Sequence, residues 1–338
     1  MIHREFGFCM PDAIPSGDGR FIRKRDSYAQ GYRGVRLDDA YLVTFDSARL
    51  GGGPGEDSQE SVWAIRYPLD IYKSPTFHRL WASDRQDEHE CYRPSLIRTP
   101  PTWPDSQRWL AAYTATRWST VGKILRQHVG LAWAPEPLGP WEYNHDAIPP
   151  RDKVAHDPAK QWPPGAWAVA LLVYRGDVIL VARDASVPQP LVHEVYRIAP
   201  DHSYQRIGAI ELPGTPPATY VTDVMWGGGG LYALESPPGH TEVVEWYADI
   251  AGPWPEKIVM RRSGRRFAHP DPKVRTYEAG YMREPDGSVA SPGETVFACA
   301  EVGRSVVQIG DFYGQLWTSL AAPILERTPL AVEVVEGG

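Results

Sequence analysis

Long apolar runs are missing from this chain, and nothing in it approaches the length needed to span a bilayer. The opening residues, Met1-Ile2-His3-Arg4-Glu5-Phe6, lack the apolar core of a secretory leader. The expected location is therefore the cytoplasm, with no membrane partner. Cysteine is scarce: Cys9, Cys91 and Cys299 are the three, and they lie far apart. That spacing signals neither a disulfide framework nor a zinc site, and it fits reduced thiols. Charge of one sign is not concentrated either. The net charge is −7, and the densest basic run is Arg261-Arg262-Ser263-Gly264-Arg265-Arg266. A solvated hairpin tip is the expected place for that run, and no nucleic-acid partner is expected. Helical periodicity is short throughout, with Leu316 to Arg327 the one short helix expected. No low-complexity linker divides the 338 residues, so 1–338 is read as a single domain.

What the chain has in quantity is turn formers and aromatics: 33 Pro, 31 Gly, 13 Trp and 17 Tyr. Such a composition points to an all-β protein built of short strands. The stretch from Cys91 to Tyr143 sets the pattern. Cys91 to Arg98, Arg108 to Ala115 and Val129 to Ala134 are rich in β-branched, aromatic and small apolar residues, and Pro, Gly and Asp turns divide them. They read as an antiparallel meander, which an outer strand near Trp141 completes. Similar openings recur near Arg33, Trp167, Thr222 and Glu278, at intervals of roughly 55–75 residues. The expected fold is an all-β, five-bladed β-propeller of four-stranded antiparallel blades around a central funnel. The blades fall at about 31-88, 89-150, 160-212, 217-262 and 272-315. A β-sandwich or jelly roll would use strands of the same length. Gly227 to Gly230 reads as a hairpin turn, since no helix and no Lys-Ser/Thr follow it as a phosphate loop requires.

The run Val129-Gly130-Leu131-Ala132-Trp133-Ala134-Pro135-Glu136-Pro137-Leu138-Gly139-Pro140-Trp141, with Tyr92-Arg93-Pro94-Ser95-Leu96 before it, resembles the propellers of glycoside hydrolase family 43 and its relatives in families 32, 68 and 117. The local likeness covers about fifty residues. It implies a five-bladed propeller in which three carboxylates on innermost strands serve as base, general acid and pKa modulator. This chain departs from that pattern. It has Tyr32-Arg33-Gly34 in the first blade and Ser95 in the second, where the family would show aspartates. Glu90-Cys91 is similar to the Glu-Cys acid of family 32, without the Asp-Pro motifs that accompany it there.

Glycoside hydrolysis needs at least two carboxylates, one to protonate the leaving oxygen and one to activate water. Asp223 and Glu278 stand on expected innermost strands and are the first candidates for catalysis, with Glu90 as a third. Each has a structural alternative: Asp223 could bond backbone at a strand end, and Glu90 lies in a charged run. Arg33 and Arg93 open their blades and could clamp a carboxylate or enolate, or pair with Asp223 or Glu278. Tyr92, Trp167 and Tyr277 could stack on a sugar, although packing in the core is the usual fate of aromatics. His89 and His193-Glu194 lack companions at metal-ligand spacing. No metal or cofactor is expected, an axial ion being left open. The expected function is a glycosidase-like enzyme acting on a small-molecule glycoside or sugar-like substrate. The alternatives are a non-hydrolytic cyclase, lyase or isomerase for a partly apolar metabolite, and a carbohydrate-binding propeller.

Overall fold

The inward ends of the sheets decide this architecture, so the strands are best taken from the axis outward. The structure, a computed structural model, describes residues 4–5, 13–15, 21–23, 27–49, 61–70, 73, 76–81, 89–118, 124–149, 165–184, 192–215, 220–239, 241–267, 275–284, 288, 296–301, 314–318 and 333–336. It is an all-β propeller. One four-stranded antiparallel sheet runs outward from His89–Arg98 through Trp109–Trp118 and Ile124–Ala134 to Glu142–Ile148. The next begins at Ala166–Tyr174 and passes through Asp177–Asp184 and Val192–Ile198 to Tyr204–Glu211, where Lys257–Val259 joins in parallel. A third begins at Tyr220–Gly227 and continues through Gly230–Ser236 and Val243–Asp249 to Arg261–Phe267.

The remaining large sheet has nine strands. It contains Ser27–Arg36, Ala40–Arg49, Ser61–Pro68 and Thr76–Trp81, and also Arg275–Arg283, Val296–Glu301 and Gly314–Thr318. The propeller therefore has four blades and not the five expected. Parallel pairing of Met282 with Gly34 and of Arg283 with Val35 fuses the expected first and fifth units into one sheet. Two further expectations are corrected. The run Arg261 to Arg266 lies on the outer strand Arg261–Phe267, not at a hairpin tip. The residues from Leu316 that were expected to begin a helix instead continue the strand Gly314–Thr318, which pairs with Val296–Glu301 and, at its other edge, with Arg4–Glu5. The part of the expected blade 272-315 from 302 to 313 lies outside the described residues.

Alternation of apolar residues packs neighbouring sheets face to face. Leu42, Val62, Ala64 and Trp81 of the nine-stranded sheet meet Leu96, Ala111, Tyr113 and Ala132 of the next. Ile97, Leu110, Val129 and Leu131 then meet Leu171, Val178, Leu180 and Tyr196. Val169, Leu172, Ile179 and Val181 meet Val224, Leu231, Ala233 and Trp246 in turn. Each fully buried aliphatic side chain in these layers contributes roughly 1.5–3 kcal/mol. The turn at 227–230 is a two-residue hairpin, with Gly228 at φ 58° and Gly229 at φ 83°, the left-handed values that such turns demand.

One irregularity recurs on every innermost strand. Its ladder with the next strand slips between Gln30 and Arg33, between Tyr92 and Ser95, between Ala168 and Ala170, between Val221 and Asp223, and between Tyr277 and Gly280. A bulge removes residues from the ladder and turns their backbone and side chains in new directions. Here the same device is repeated around the axis.

Candidate functional site

The bulges release carbonyl groups, and one side chain gathers them. Arg33 is almost fully buried; its Nη1 donates to the carbonyls of Arg93 (2.7 Å) and Pro94 (2.8 Å). Its Nη2 donates to the carbonyls of Val169 (2.8 Å) and Thr222 (2.5 Å). All four acceptors are bulge residues, drawn from three successive sheets. The guanidinium suits this task because its donors radiate in one plane. Its Nε also lies 3.8 Å from Oδ1 of Asp223.

Asp223 has no solvent exposure. Its Oδ1 accepts from Arg283 Nη2 and from the Val224 N–H (2.9 Å), and its Oδ2 accepts from the Tyr281 N–H (2.8 Å). Arg283 is equally buried. Close by, the Tyr281 hydroxyl donates to Glu245 Oε2 at 2.9 Å. Burial, followed by the neighbouring Glu245 carboxylate, pushes the Tyr281 phenol well above its ordinary range. The inner strands are thus joined by an Arg33–Asp223–Arg283 ion-pair network. Among the described residues no three His, Cys, Asp or Glu side chains converge as metal ligands.

A second cluster joins the bulge of one innermost strand to the beginning of the next. Trp167 is buried, and Arg93 and Arg183, both half-buried, lie 5.6 Å and 4.9 Å from the centre of its ring. The Trp167 indole N–H donates to Gln127 Oε1. Gln127 Nε2 in turn donates to the Tyr92 hydroxyl (2.5 Å) and to Thr116 Oγ1 (3.3 Å), and those two hydroxyls also touch. Arg93 has a left-handed backbone, φ 58°. Its N–H donates to Asp46 Oδ1 at 2.8 Å while its carbonyl is held by Arg33. Beside Arg183 across the strands stands His193, completely buried. Loss of solvation, then the Arg183 charge, lowers its pKa to about 3, so the ring is neutral.

The sequence candidates therefore separate into groups. Tyr92, Arg93 and Trp167 come together at the rim. Arg33 and Asp223 meet at the axis, where Asp223 is enclosed by guanidiniums and backbone donors and is not presented to a funnel. Glu278 falls inside the bulge between Tyr277 and Gly280, the register position that Arg93 holds on its own strand. Glu90 pairs with Thr116 in the ladder beside Tyr92. The side chains of Glu278, Glu90 and Tyr277 lie outside the described residues. Gln127, Arg183 and Arg283 were missed by sequence reasoning. Arg183 and Arg283 sit at strand ends, where charge is ordinary, and Gln127 follows a basic insertion.

No helix among the described residues is long and apolar enough to cross a membrane. No family model matches the chain, and no curated protein is similar to it in sequence. Solved structures do match. An α-L-arabinofuranosidase from Lactobacillus brevis aligns with a TM-score of 0.53 at 9% identity, over 87% of this chain and 91% of its own. A glycoside hydrolase aligns with a TM-score of 0.52 at 11% identity, over 91% and 92%. At such identities the likeness is one of fold alone, a β-propeller shared with those structures.

Proposed function

We propose that this chain, as one propeller domain, is a glycosidase-like enzyme for a small glycoside or sugar-like substrate, acting where the inner-strand bulges converge. The observation that carries the reading is the recurrence of those bulges, which gives Glu278 the same register as Arg93 in a glycosidase-type propeller. Glu278 is the proton donor in this scheme. Glu90, on the innermost strand His89–Arg98, is the second carboxylate that the chemistry requires. Asp223 is taken out of acid–base duty because it is buried and its oxygens are engaged by Arg283 and by the Val224 and Tyr281 N–H groups. Its role is to close the ring. Tyr92, Arg93 and Trp167 position the substrate.

A panel of aryl glycosides tests this. Wild type should hydrolyse at least one member, and Glu278→Gln should lower kcat by about 100-fold or more without loss of thermal stability. Equal inertness of wild type, Glu278→Gln and Glu90→Gln would remove hydrolysis. One observation favours a second reading, a non-hydrolytic cyclase, lyase or isomerase. Arginine, as Arg33 and Arg93, stands on the first two innermost strands, where hydrolysis wants carboxylates, and cationic hydrogen-bond donors stabilise enolates and related anions.

A further inference from the structure

We propose that the interior beside Arg283 is a binding site for a small monovalent anion of the halide class. The observation that carries it is a set of buried hydrogen-bond donors without acceptors. The Arg283 side chain has no solvent exposure. Its Nη2 donates to Oδ1 of Asp223, but among the described residues its Nε and Nη1 have no acceptor. Those two atoms hold most of the N–H groups of a side chain that keeps its charge in proteins. Donors left unmet on a buried charge are costlier than those on a neutral group. Buried charges in folded proteins are therefore paired or hold an ion.

The neighbours show why protein groups do not meet this need. Oδ1 of Asp223 also accepts from the Val224 N–H and lies 3.8 Å from Arg33 Nε, and its Oδ2 is taken by the Tyr281 N–H. Glu245, the carboxylate on the far side of Tyr281, spends its two oxygens on the Ser263 and Tyr281 hydroxyls. Along the strand and across the ladder stand Met282 and Val35, both buried, whose side chains offer no strong acceptor. In such a place the attraction between a cation and an anion is little screened. Burial also sets the size of the ligand. An organic acid or a sulfate needs a mouth, whereas a halide needs a space near that of one water molecule. A halide is spherical and accepts from any direction, so it can serve donors on either edge of the guanidinium plane. Water accepts from the same atoms but brings no charge. The ion would steady Arg283, and with it the joint between Arg275–Arg283 and Tyr220–Gly227. The site does not depend on the glycosidase-like reading, since nothing in it touches Glu278→Gln or the glycoside panel.

Thermal melting of the full chain in sodium chloride, sodium bromide and sodium gluconate tests the assignment. One ionic strength throughout, about 0.2 M, removes screening as a cause of any difference. An ion that binds only the folded chain stabilises it by mass action. The melting temperature should therefore be at least about 2 °C higher in chloride or bromide than in gluconate, and should climb with the logarithm of halide concentration. Arg283→Gln should lose that difference. Crystals of the wild type grown in bromide supply a second measurement that needs no variant. Anomalous scattering should place bromide within hydrogen-bonding reach of Arg283 Nε or Nη1. Equal melting temperatures in halide and gluconate, or water in place of bromide beside Arg283, overturn the proposal. So does a halide effect that persists undiminished in folded Arg283→Gln, because the ion then binds elsewhere.

Discussion

Arginine does opposite work in two neighbouring parts of this molecule. At the axis, Arg33 and Arg283 are buried and turned inward onto carbonyls and a carboxylate of the protein itself. Nearby, Arg93 and Arg183 are half-buried and lie 5.6 Å and 4.9 Å from the centre of the Trp167 ring. The residue type is the same, and burial and partners decide the role. A guanidinium wrapped by protein acceptors is a fastener, whereas one beside a ring braces an aromatic side chain. The bulges link the two, since the bulge that holds Arg93 also supplies two of the carbonyls that Arg33 collects.

The sharpest way to break this comparison is Asp223→Asn. It leaves two buried guanidiniums facing a neutral amide, and loss of one partner from a buried ion pair costs about 3–5 kcal/mol. Urea denaturation should show a loss of that size; a change below about 1 kcal/mol would mean that the axis is not a lock. Next in size is the behaviour of His193. In the unfolded chain its ring takes up a proton as pH falls below about 6.5, whereas the fold resists until about pH 3. Stability from this group is complete above pH 6.5 and declines from there towards pH 3, by about 2 kcal/mol at pH 5 relative to pH 7.5. Unfolding curves across that interval measure the decline, and His193→Gln should flatten it.

Gly165→Ala probes the support of the rim. A Cβ at that position would come within 2.5 Å of Gln127 Cβ and 3.0 Å of its carbonyl oxygen. Overpacking of this kind costs about 1–2 kcal/mol. It should also displace Gln127 and loosen Trp167, so weakened ligand binding should accompany the lower melting temperature. The smallest effect belongs to an exposed arginine. Arg36 lies 3.4 Å from Glu284 with its side chain largely in water, and Arg36→Gln should change stability by less than about 1 kcal/mol.

Much of this fold could be read from residue patterns alone. Ala166–Tyr174 and Tyr220–Gly227 stand where the openings near Trp167 and Thr222 place them. Apolar alternation and glycine turns are local signals, and local signals survive in a single sequence. The blade count did not survive, because fusion of Arg275–Arg283 with Ser27–Arg36 is a contact between distant segments that no local pattern encodes. The basic run from Arg261 was misplaced for another reason. Charge marks exposure, and an outer strand is as exposed as a turn. At the site, Tyr92, Arg93 and Trp167 were legible from their place at the starts of blades. The burial of Asp223 was not, since it depends on Arg283, sixty positions along the chain. Arg183 and Gln127 became visible only when the sheets placed them beside Trp167.

The reach of Arg33 has a consequence for how the chain is made. Its guanidinium bonds to Thr222, 189 positions later, and the Asp223 carboxylate beside its Nε is held by Arg283, later still. Contacts of such sequence separation form late and slow the search for the native state. During synthesis the early arginine must wait in water while sheet after sheet is assembled around it, so the ring is fastened from its beginning only when its end has arrived.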